Sequence, residues 1–312
     1  MALYYGVSTA AGLFAYPKLS NEIRMKAVPD YKFRQLVRRV SEYGKEMGDT
    51  IYFTKASYLN DRGRAIGERD AVPTTGLTVS RDSLTVQEFS NSLEYTRWLE
   101  DLATLDINEV IKTALADDMA RTIDEACGTV FRTADIVYTP TGSITTPTYS
   151  VVSTGTPTAT SSRKFNVWDL DNVLDFMRTT YLMPEYGGRG YVCIASPNFI
   201  RGLREDEQWQ REARYYDPSM AYAGEIGEFR KVRFIEDVNL LDNSLPGGAG
   251  EAIFVADDAV IEGQIYPETI EARQNTEYGR VKALRWVWGG GFKKTWDYAT
   301  DGQARLLRVY SA

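Results

Sequence analysis

The sequence has no histidine and only two cysteines in 312 residues. Histidine is the commonest general base and the commonest metal ligand in proteins. Its absence excludes Ser-His-Asp and Cys-His catalytic arrangements. An enzyme without histidine would have to act through side chains such as its carboxylates, so an enzyme is the less favoured class of protein. Cys127 and Cys193 lie in apolar stretches, one in a predicted helix and one in a predicted strand, which favours buried free thiols. Such thiols fit a reducing compartment.

Long apolar runs are also missing. No stretch approaches the ~20 apolar residues that cross a bilayer, and the first residues lack the basic and apolar regions of a signal peptide. We therefore expect a protein that is made inside the cell and has no membrane partner. The glycines at 289–291 stand between strand patterns rather than before a helix, and those at 187–190 precede a strand, so neither forms a nucleotide-binding loop. No cofactor or metal site is predicted.

Charge is distributed unevenly along the chain. Residues 1–45 contain eight Lys or Arg and three Asp or Glu, a net charge of +5, and because the whole chain carries −7 the remainder carries −12. A basic amino-terminal arm on an acidic body predicts that the arm docks on an acidic surface of a neighbour or on nucleic acid. A solvated amphipathic helix explains the arm equally well. The acidic body argues against a direct grip on DNA phosphates.

Residues 50–95 predict a long β-hairpin. Apolar residues alternate with polar ones around Ile51 and again around Leu84 on the return, and the intervening 60–76 is charged and rich in glycine. Two arms of ~20 residues would reach roughly 65 Å, whereas a compact chain of this length is roughly 50 Å across. The hairpin is therefore expected to overhang its subunit and lie on a neighbour, unless it bends back as a surface loop. The tip residues expected to make inter-subunit contacts are Asp61, Arg62, Arg64, Glu68, Arg69 and Asp70.

Helical spacing predicts three helices in the first half of the chain, the second of them short and running from Thr96 to Ala103. A short one follows Pro29 and ends at Gly44. A stronger one begins at Asp106, a good N-cap, and stops at Gly128, which gives a length of ~33 Å. Its polar face is interpreted as solvated rather than as a metal cluster. That face comprises Asp117, Asp118, Arg121, Asp124 and Glu125.

The second half mixes helices and strands. Segment 139–162 is dominated by Thr, Ser, Pro and Gly, which predicts a loop or short β excursion at a domain boundary. Asn166 and Ser196 are N-caps of two helices, and 191–196 is a buried strand. The carboxyl third alternates as strands, interrupted by the glycines at 289–291. Together these elements predict an α+β fold class.

Four stretches carry a family resemblance. They read SLTVQEFSNSLEYTRWLEDLATLDINEVIKTALADDMARTIDE (83–125), GYVCIASPNFIRGLRED (190–206), GEIGEFRKVRFIEDVN (224–239) and EYGRVKALRWVWGGGFKKTWDYA (277–299). Their order resembles the major capsid protein of tailed bacteriophages, the Hong Kong 97 fold, especially its branch related to N4-like phages. The resemblance implies an amino-terminal arm at 1–49, an extended hairpin loop at 50–95, a peripheral domain with a spine helix at 96–138 and 260–312, and an axial domain at 139–259.

The resemblance also implies a function. It indicates a structural protein that self-assembles as hexamers and pentamers into an icosahedral shell around double-stranded DNA, which it contacts non-specifically. Scaffolding, portal and decoration proteins are the implied partners, with assembly in the host cytoplasm and residence in the virion. Some relatives crosslink a hairpin lysine to an asparagine, but Lys55 is the only lysine of this hairpin and lies on a strand, so no crosslink is expected. An encapsulin-type compartment and a histidine-free enzyme remain the alternatives, and a tail or surface β protein is disfavoured by the spine helix.

Overall fold

The computed structural model describes residues 32–40, 48–56, 59, 63–68, 70–103, 106–213, 227–238, 241, 250–273 and 277–312. The described strands are β1 (Arg38–Val40), β2 (Thr50–Ala56), β3 (Val79–Thr85), β4 (Gln87–Thr96), β5 (Ile136–Gly142), β6 (Pro147–Val152), β7 (Tyr191–Ala195), β8 (Glu228–Phe229), β9 (Val232–Glu236), β10 (Gly250–Val255), β11 (Val260–Ala272), β12 (Val281–Lys294) and β13 (Leu306–Ser311). The α-helices are α1 (Arg97–Leu102), α2 (Ile107–Phe131), α3 (Val167–Asp175), α4 (Pro197–Arg204), α5 (Glu207–Ala213) and α6 (Tyr298–Asp301).

One sheet has four strands in the order β1-β11-β12-β4 and carries the long helix α2. β1 runs parallel to β11, and the other neighbours are antiparallel. Trp286 and Trp288 of β12 are buried together with Leu115 and Ile123 of α2. Alternate residues of a strand and one stripe of a helix can face each other in this way. The two tryptophans therefore fix the helix to the sheet.

A second sheet has seven strands in the order β6-β5-β13-β10-β7-β9-β8. Its central strands β7 and β10 are buried along their whole length, the pattern of strands that are covered on both faces. Helices α3 and α4 contribute Leu170 and Phe199 to the core of this sheet, beside Phe254 of β10. The β excursion predicted within 139–162 is confirmed as the antiparallel β5–β6 pair. Strand β13 lies between β5 and β10, so the chain returns to this sheet at 306–311.

The predicted helix starts are confirmed. The Asp106 carboxylate accepts backbone N–H groups of the first turn of α2 at 2.9 and 3.3 Å. Asn166 and Asp169 form a reciprocal capping box at α3, and Ser196 caps α4 with Pro197 in its first turn. Each cap satisfies N–H groups that the start of a helix leaves without intrahelical partners.

Helix α2 does not stop at Gly128, as the sequence predicts, but continues to Phe131. Phe131 is completely buried, and its ring centroid lies 5.6 Å from that of Phe33. Burying two aromatic rings favours the extra turn more strongly than one glycine disfavours it. The helix is therefore 25 residues long.

The helix predicted after Pro29 is wrong for the part that the structure describes. A 3-10 turn, Arg34–Leu36, leads into β1, which takes its hydrogen bonds from β11. The side chain of Phe33 is buried in the core beside α2. Sheet pairing and burial of this ring outweigh a weak helical propensity. Pro29 and Gly44, the predicted bounds of the helix, lie outside the described residues.

Asp124 is not on the solvated face of α2, where the sequence places it. Its side chain is 4% exposed and accepts the backbone N–H groups of Lys32 at 3.3 Å and Arg34 at 3.1 Å. Burial raises the pKa of Asp124, and the two N–H donors oppose that rise only in part. Asp124 therefore fastens segment 32–40 to α2.

The hairpin is shorter than predicted. β2 pairs with β3 over seven residues, from Thr50 opposite Thr85 to Ala56 opposite Val79, a paired length of about 23 Å. Beyond Val86 the chain changes sheets, because β4 pairs with β12 instead. The arm length of ~20 residues is therefore wrong, since an alternating pattern shows that a strand exists but not which strand it joins. The described residues between β2 and β3 form no further strand.

Candidate assembly surfaces

The β2–β3 hairpin lies on the four-stranded sheet through a small apolar cluster. Ile51 and Leu84 are 5% and 2% exposed, and Gly263 of β11 and Gly291 of β12 lie beneath them. A Cβ atom at Gly263 would stand 2.6 Å from the Cδ atoms of both aliphatic side chains. A Cβ atom at Gly291 would stand 2.6 Å from the carbonyl oxygen of Thr85. Glycine permits this close approach, and we call Gly263 and Gly291 the glycine floor.

The triple glycine does not interrupt β12, contrary to the sequence-based expectation. The strand continues through it to Lys294. A Cβ atom at Gly289 would stand 2.4 Å from the ring of Tyr266, and one at Gly290 would stand 2.4 Å from the ring of Trp288. The glycines therefore make room for aromatic rings beside the sheet. Because glycine adds no side chain to an alternating pattern, the sequence gives no sign that the strand continues.

Four charged side chains, which we call the anchor cluster, hold the hairpin at its edge. They are Lys55 of β2, Asp82 of β3, Lys293 of β12 and Asp301 of α6. Lys55 is 5% exposed, and its Nζ lies 2.8 Å from Asp301 Oδ2 and 3.0 Å from Asp82 Oδ2. Asp82 also pairs with Lys293. Several partners of opposite sign offset the desolvation of a buried ammonium group.

Titration of the anchor cluster follows from these contacts. Burial acts to lower the pKa of Lys55, but hydrogen bonds with Asp301 and Asp82 outweigh it, so the pKa is raised. Burial acts to raise the pKa of Asp82, but hydrogen bonds from Lys293, Lys55 and the Ser83 N–H lower it to about 2. The ammonium group of Lys55 therefore stays charged and engaged within its own chain. In this position Lys55 serves as an ionic contact that fixes β2 to α6.

The predicted tip contacts are only partly described. Arg64, Glu68 and Asp70 are exposed, and Asp70 Oδ2 accepts the backbone N–H of Gly67 at 3.2 Å in a local turn. The other three predicted contacts, Asp61, Arg62 and Arg69, lie outside the described residues. The same loop also exposes aliphatic residues that were not predicted as contacts, although single apolar residues in a polar stretch are a signal for them. They are Leu59, Ile66, Val72 and Leu77.

Segment 32–40 lies on its own subunit through buried ionic contacts. The side chain of Glu262 in β11 is 0% exposed and accepts from two arginines. Arg34 Nη2 donates to Glu262 Oε1 at 2.6 Å, and Arg39 Nε donates to Glu262 Oε2 at 3.2 Å. Arg34 also pairs with Glu268. The described part of the basic arm therefore docks on acidic side chains of its own chain. Residues 1–31 lie outside the described part.

No cluster of three or more potential metal ligands occurs among the residues that the structure describes. Cys127 and Cys193 are buried and unpaired, as predicted, and burial raises the pKa of both thiols, which disfavours the reactive thiolate. Within the described ranges, no helix combines the length and apolarity needed to cross a membrane.

Comparisons with known proteins agree with this architecture. A family model described as phage capsid protein matches residues 82–301. The capsid of Ralstonia phage GP4 is similar with a TM-score of 0.69 at 17% identity, over 100% of this chain and 97% of that chain. The head of Helicobacter pylori bacteriophage KHP40 gives 0.71 at 11% identity, over 100% and 98%. The cyanophage Pam1 capsid gives 0.71 at 14% identity, over 100% and 99%.

At these identities the structural likeness establishes the fold alone. It confirms the predicted α+β fold of the Hong Kong 97 type. A comparison with curated proteins gives no match.

Proposed function

The chain belongs to the phage capsid protein family, and on that premise we propose that it assembles, as the major subunit, into the icosahedral shell around the double-stranded DNA of a tailed phage. The observation that carries this proposal is the match of the family over 82–301, which spans α2 and all strands of the two large sheets except β1 and β13. A closer kinship with N4-like phages stays a prediction.

The β2–β3 hairpin supplies the physical argument for assembly. Its base is fixed by the glycine floor and the anchor cluster, while Arg64, Glu68 and Asp70 of the loop are exposed. Exposed aliphatic residues accompany them, with Val72 71% exposed. A loop that is anchored at its base and carries apolar side chains at its end is suited to dock on an adjacent subunit. The six tip residues of the sequence analysis remain the proposed contacts.

We also propose that the two large sheets define the domains of the shell subunit. The seven-stranded sheet would form the axial domain at 139–259, and the four-stranded sheet with α2 would form the peripheral domain at 96–138 and 260–312. Strand pairing supports adjustments to these ranges. β1 and β4 join the four-stranded sheet, and β5 and β13 join the seven-stranded sheet, so 38–40 and 87–95 belong with the peripheral domain and 136–138 and 306–311 with the axial domain.

Partners follow from the same proposal. The subunit would contact copies of itself in hexamers and pentamers, along with scaffolding, portal and decoration proteins. Residues 46–312 carry a net charge of −12, because the whole chain carries −7 and residues 1–45 carry +5. A strongly acidic body contacts DNA weakly and without sequence preference. The protein would be assembled in the host cytoplasm and reside in the virion, as a structural protein without enzymatic activity.

The encapsulin-type compartment is the second candidate, because it shares the fold. Purified particles distinguish the two functions by their contents. We expect nuclease-protected DNA inside particles from an infected host, whereas protein cargo without DNA would indicate a compartment. A stable monomer that turns over a small substrate would instead indicate the histidine-free enzyme.

The hairpin itself is tested by replacing 59–77 with a short Gly-Ser linker. The subunit should keep its melting temperature, because the glycine floor and the anchor cluster are retained. Particles, counted by negative-stain microscopy and sedimentation velocity, should become scarce. A second variant with Arg64, Glu68 and Asp70 changed to serine separates the tip charges from the loop length. Wild-type particle yield from the linker variant would contradict the proposed role of the loop.

A further inference from the structure

An exposed apolar patch lies where β4 passes into α1. Trp98 is 67% exposed, Leu99 49% and Leu102 50%. Tyr278, in the turn before β12, has a relative exposure of 110%, so its ring stands wholly in solvent. Trp98 and Tyr278 line the same shallow cleft. We call Trp98, Leu99, Leu102 and Tyr278 the end patch.

The two segments of the end patch are held together by the sheet. The backbone N–H of Arg97 donates to the carbonyl oxygen of Arg280 at 2.9 Å, and Thr96 pairs with Val281 at the end of the β4–β12 ladder. The relative position of helix α1 and the turn is therefore fixed by main-chain hydrogen bonds. A fixed apolar surface loses little conformational entropy when a partner binds.

The turn presents Tyr278 in a disfavoured backbone conformation. Glu277 has a φ of 53°, Tyr278 a φ of 58° and Gly279 a φ of 86°. Residues other than glycine avoid this left-handed region because Cβ crowds the neighbouring carbonyl. Backbone strain of this kind beside a fully exposed ring motivates a functional hypothesis for the turn. Among the described residues, the ring of Tyr278 buries no surface.

The size and charge of the end patch indicate its partner. From the exposed fractions, the two aromatic side chains alone present roughly 440 Å² to solvent, taking about 250 Å² for a whole large aromatic side chain. This is within the size range of patches on single proteins that are often functional. The cleft is rimmed by two cations and two anions. They are Arg97, Arg280, Asp101 and Glu277.

We propose that the end patch is a contact surface for a second copy of this chain in the assembled shell, so the inference rests on the proposed function. A balanced rim disfavours nucleic acid, which requires a basic surface. A second copy supplies the same two signs, and symmetry can place the arginines of one copy against the carboxylates of the other. Tryptophan and tyrosine at the centre of the patch are the residue types that dominate interface energies.

Assembly of variants tests the proposal first. Tyr278→Asn removes the ring while keeping a residue that tolerates positive φ, and Trp98→Gln removes the second ring. The double variant should fold with the melting temperature of the wild type and raise the subunit concentration needed for particle formation at least about tenfold. Leu182→Asn is the matched control, because Leu182 is 76% exposed with a φ of 46° and lies outside the end patch.

Three outcomes distinguish a failure of the end-patch contact from a failure of the proposed shell function. A raised assembly concentration for the double variant but not for Leu182→Asn supports the contact. Equal assembly of wild type and double variant overturns it while leaving the shell proposal intact. A wild-type chain that forms no particles under any condition overturns the proposed function, and the end patch with it.

Chemical labelling gives a direct reading of burial. Cys127 and Cys193 are both 0% exposed, so a maleimide reagent should react selectively with a Tyr278→Cys chain. The labelling rate should fall at least about tenfold when the variant subunits assemble, because contact residues at the centre of an interface exclude solvent. Particles that label as fast as free subunits would overturn the proposal.

Discussion

Replacing Gly291 with alanine should loosen the β2–β3 hairpin from the four-stranded sheet. The added Cβ atom would stand 2.6 Å from the carbonyl oxygen of Thr85, whereas weak C–H···O contacts lie at about 3.3 Å or more. Strand β3 must therefore withdraw by roughly 0.7 Å at that point. Overpacking of this kind costs about 1–3 kcal/mol, and we expect about 2–3 kcal/mol because the obstacle is backbone and cannot rotate away.

Hydrogen–deuterium exchange of 50–56 and 79–85 measures this loss. At ~1.4 kcal/mol for each factor of ten, the amides of β2 and β3 should exchange about 30- to 150-fold faster. Gly263→Ala is the matched control, because its Cβ atom would meet only the side-chain ends of Ile51 and Leu84, also at 2.6 Å. Those ends can change rotamer, so a smaller effect is expected. If the two variants exchange equally, or if neither differs from wild type, the close contact is not what holds the hairpin.

Two further predictions concern buried charge. Acidification should release the hairpin, because the folded-state pKa of Asp82 is about 2, which is below its ordinary value. The ionised carboxylate of Asp82 therefore stabilises the folded chain by about 1–2 kcal/mol after allowance for solvent screening. This stabilisation is present above pH ~4 and is lost as the pH falls towards 2. Exchange in β3 measured from pH 5 to pH 2 should show this step in wild type and not in Asp82→Asn; a step retained in the variant would contradict the assignment. Arg163→Met should lower the free energy of unfolding by about 3–5 kcal/mol, because it leaves the buried carboxylate of Asp169 without its counter-ion. The side chains of Arg163 and Asp169 are 3% and 0% exposed. The same carboxylate also accepts the Tyr138 hydroxyl at 2.7 Å. Urea denaturation measures this loss of stability, and adding Asp169→Asn to Arg163→Met should recover part of it. An unchanged urea midpoint for Arg163→Met alone would refute the reasoning.

Local sequence signals specify the helix starts and the most apolar strand of this fold. The start of α2 at Asp106 and the capping box of Asn166 and Asp169 are specified by residues within one helical turn. Strand β7 is specified by its short apolar run, which is buried along its whole length. Such signals are readable because their partners lie a few residues away. The absence of histidine likewise excludes every site that requires an imidazole, because no arrangement of the chain can supply a residue type that the sequence lacks.

Which elements meet depends on contacts between residues that are far apart in the sequence. Lys55 and Asp301 of the anchor cluster are separated by 246 residues, and Asp124 is buried because segment 32–40 crosses α2. The same limit explains the short hairpin and the uninterrupted β12: alternation marks a strand, but the choice of partner depends on contacts between distant segments. Glycine carries no side chain to signal the surface that will lie against it. The hairpin's docking on the glycine floor is therefore a property of packing, which local sequence patterns do not encode.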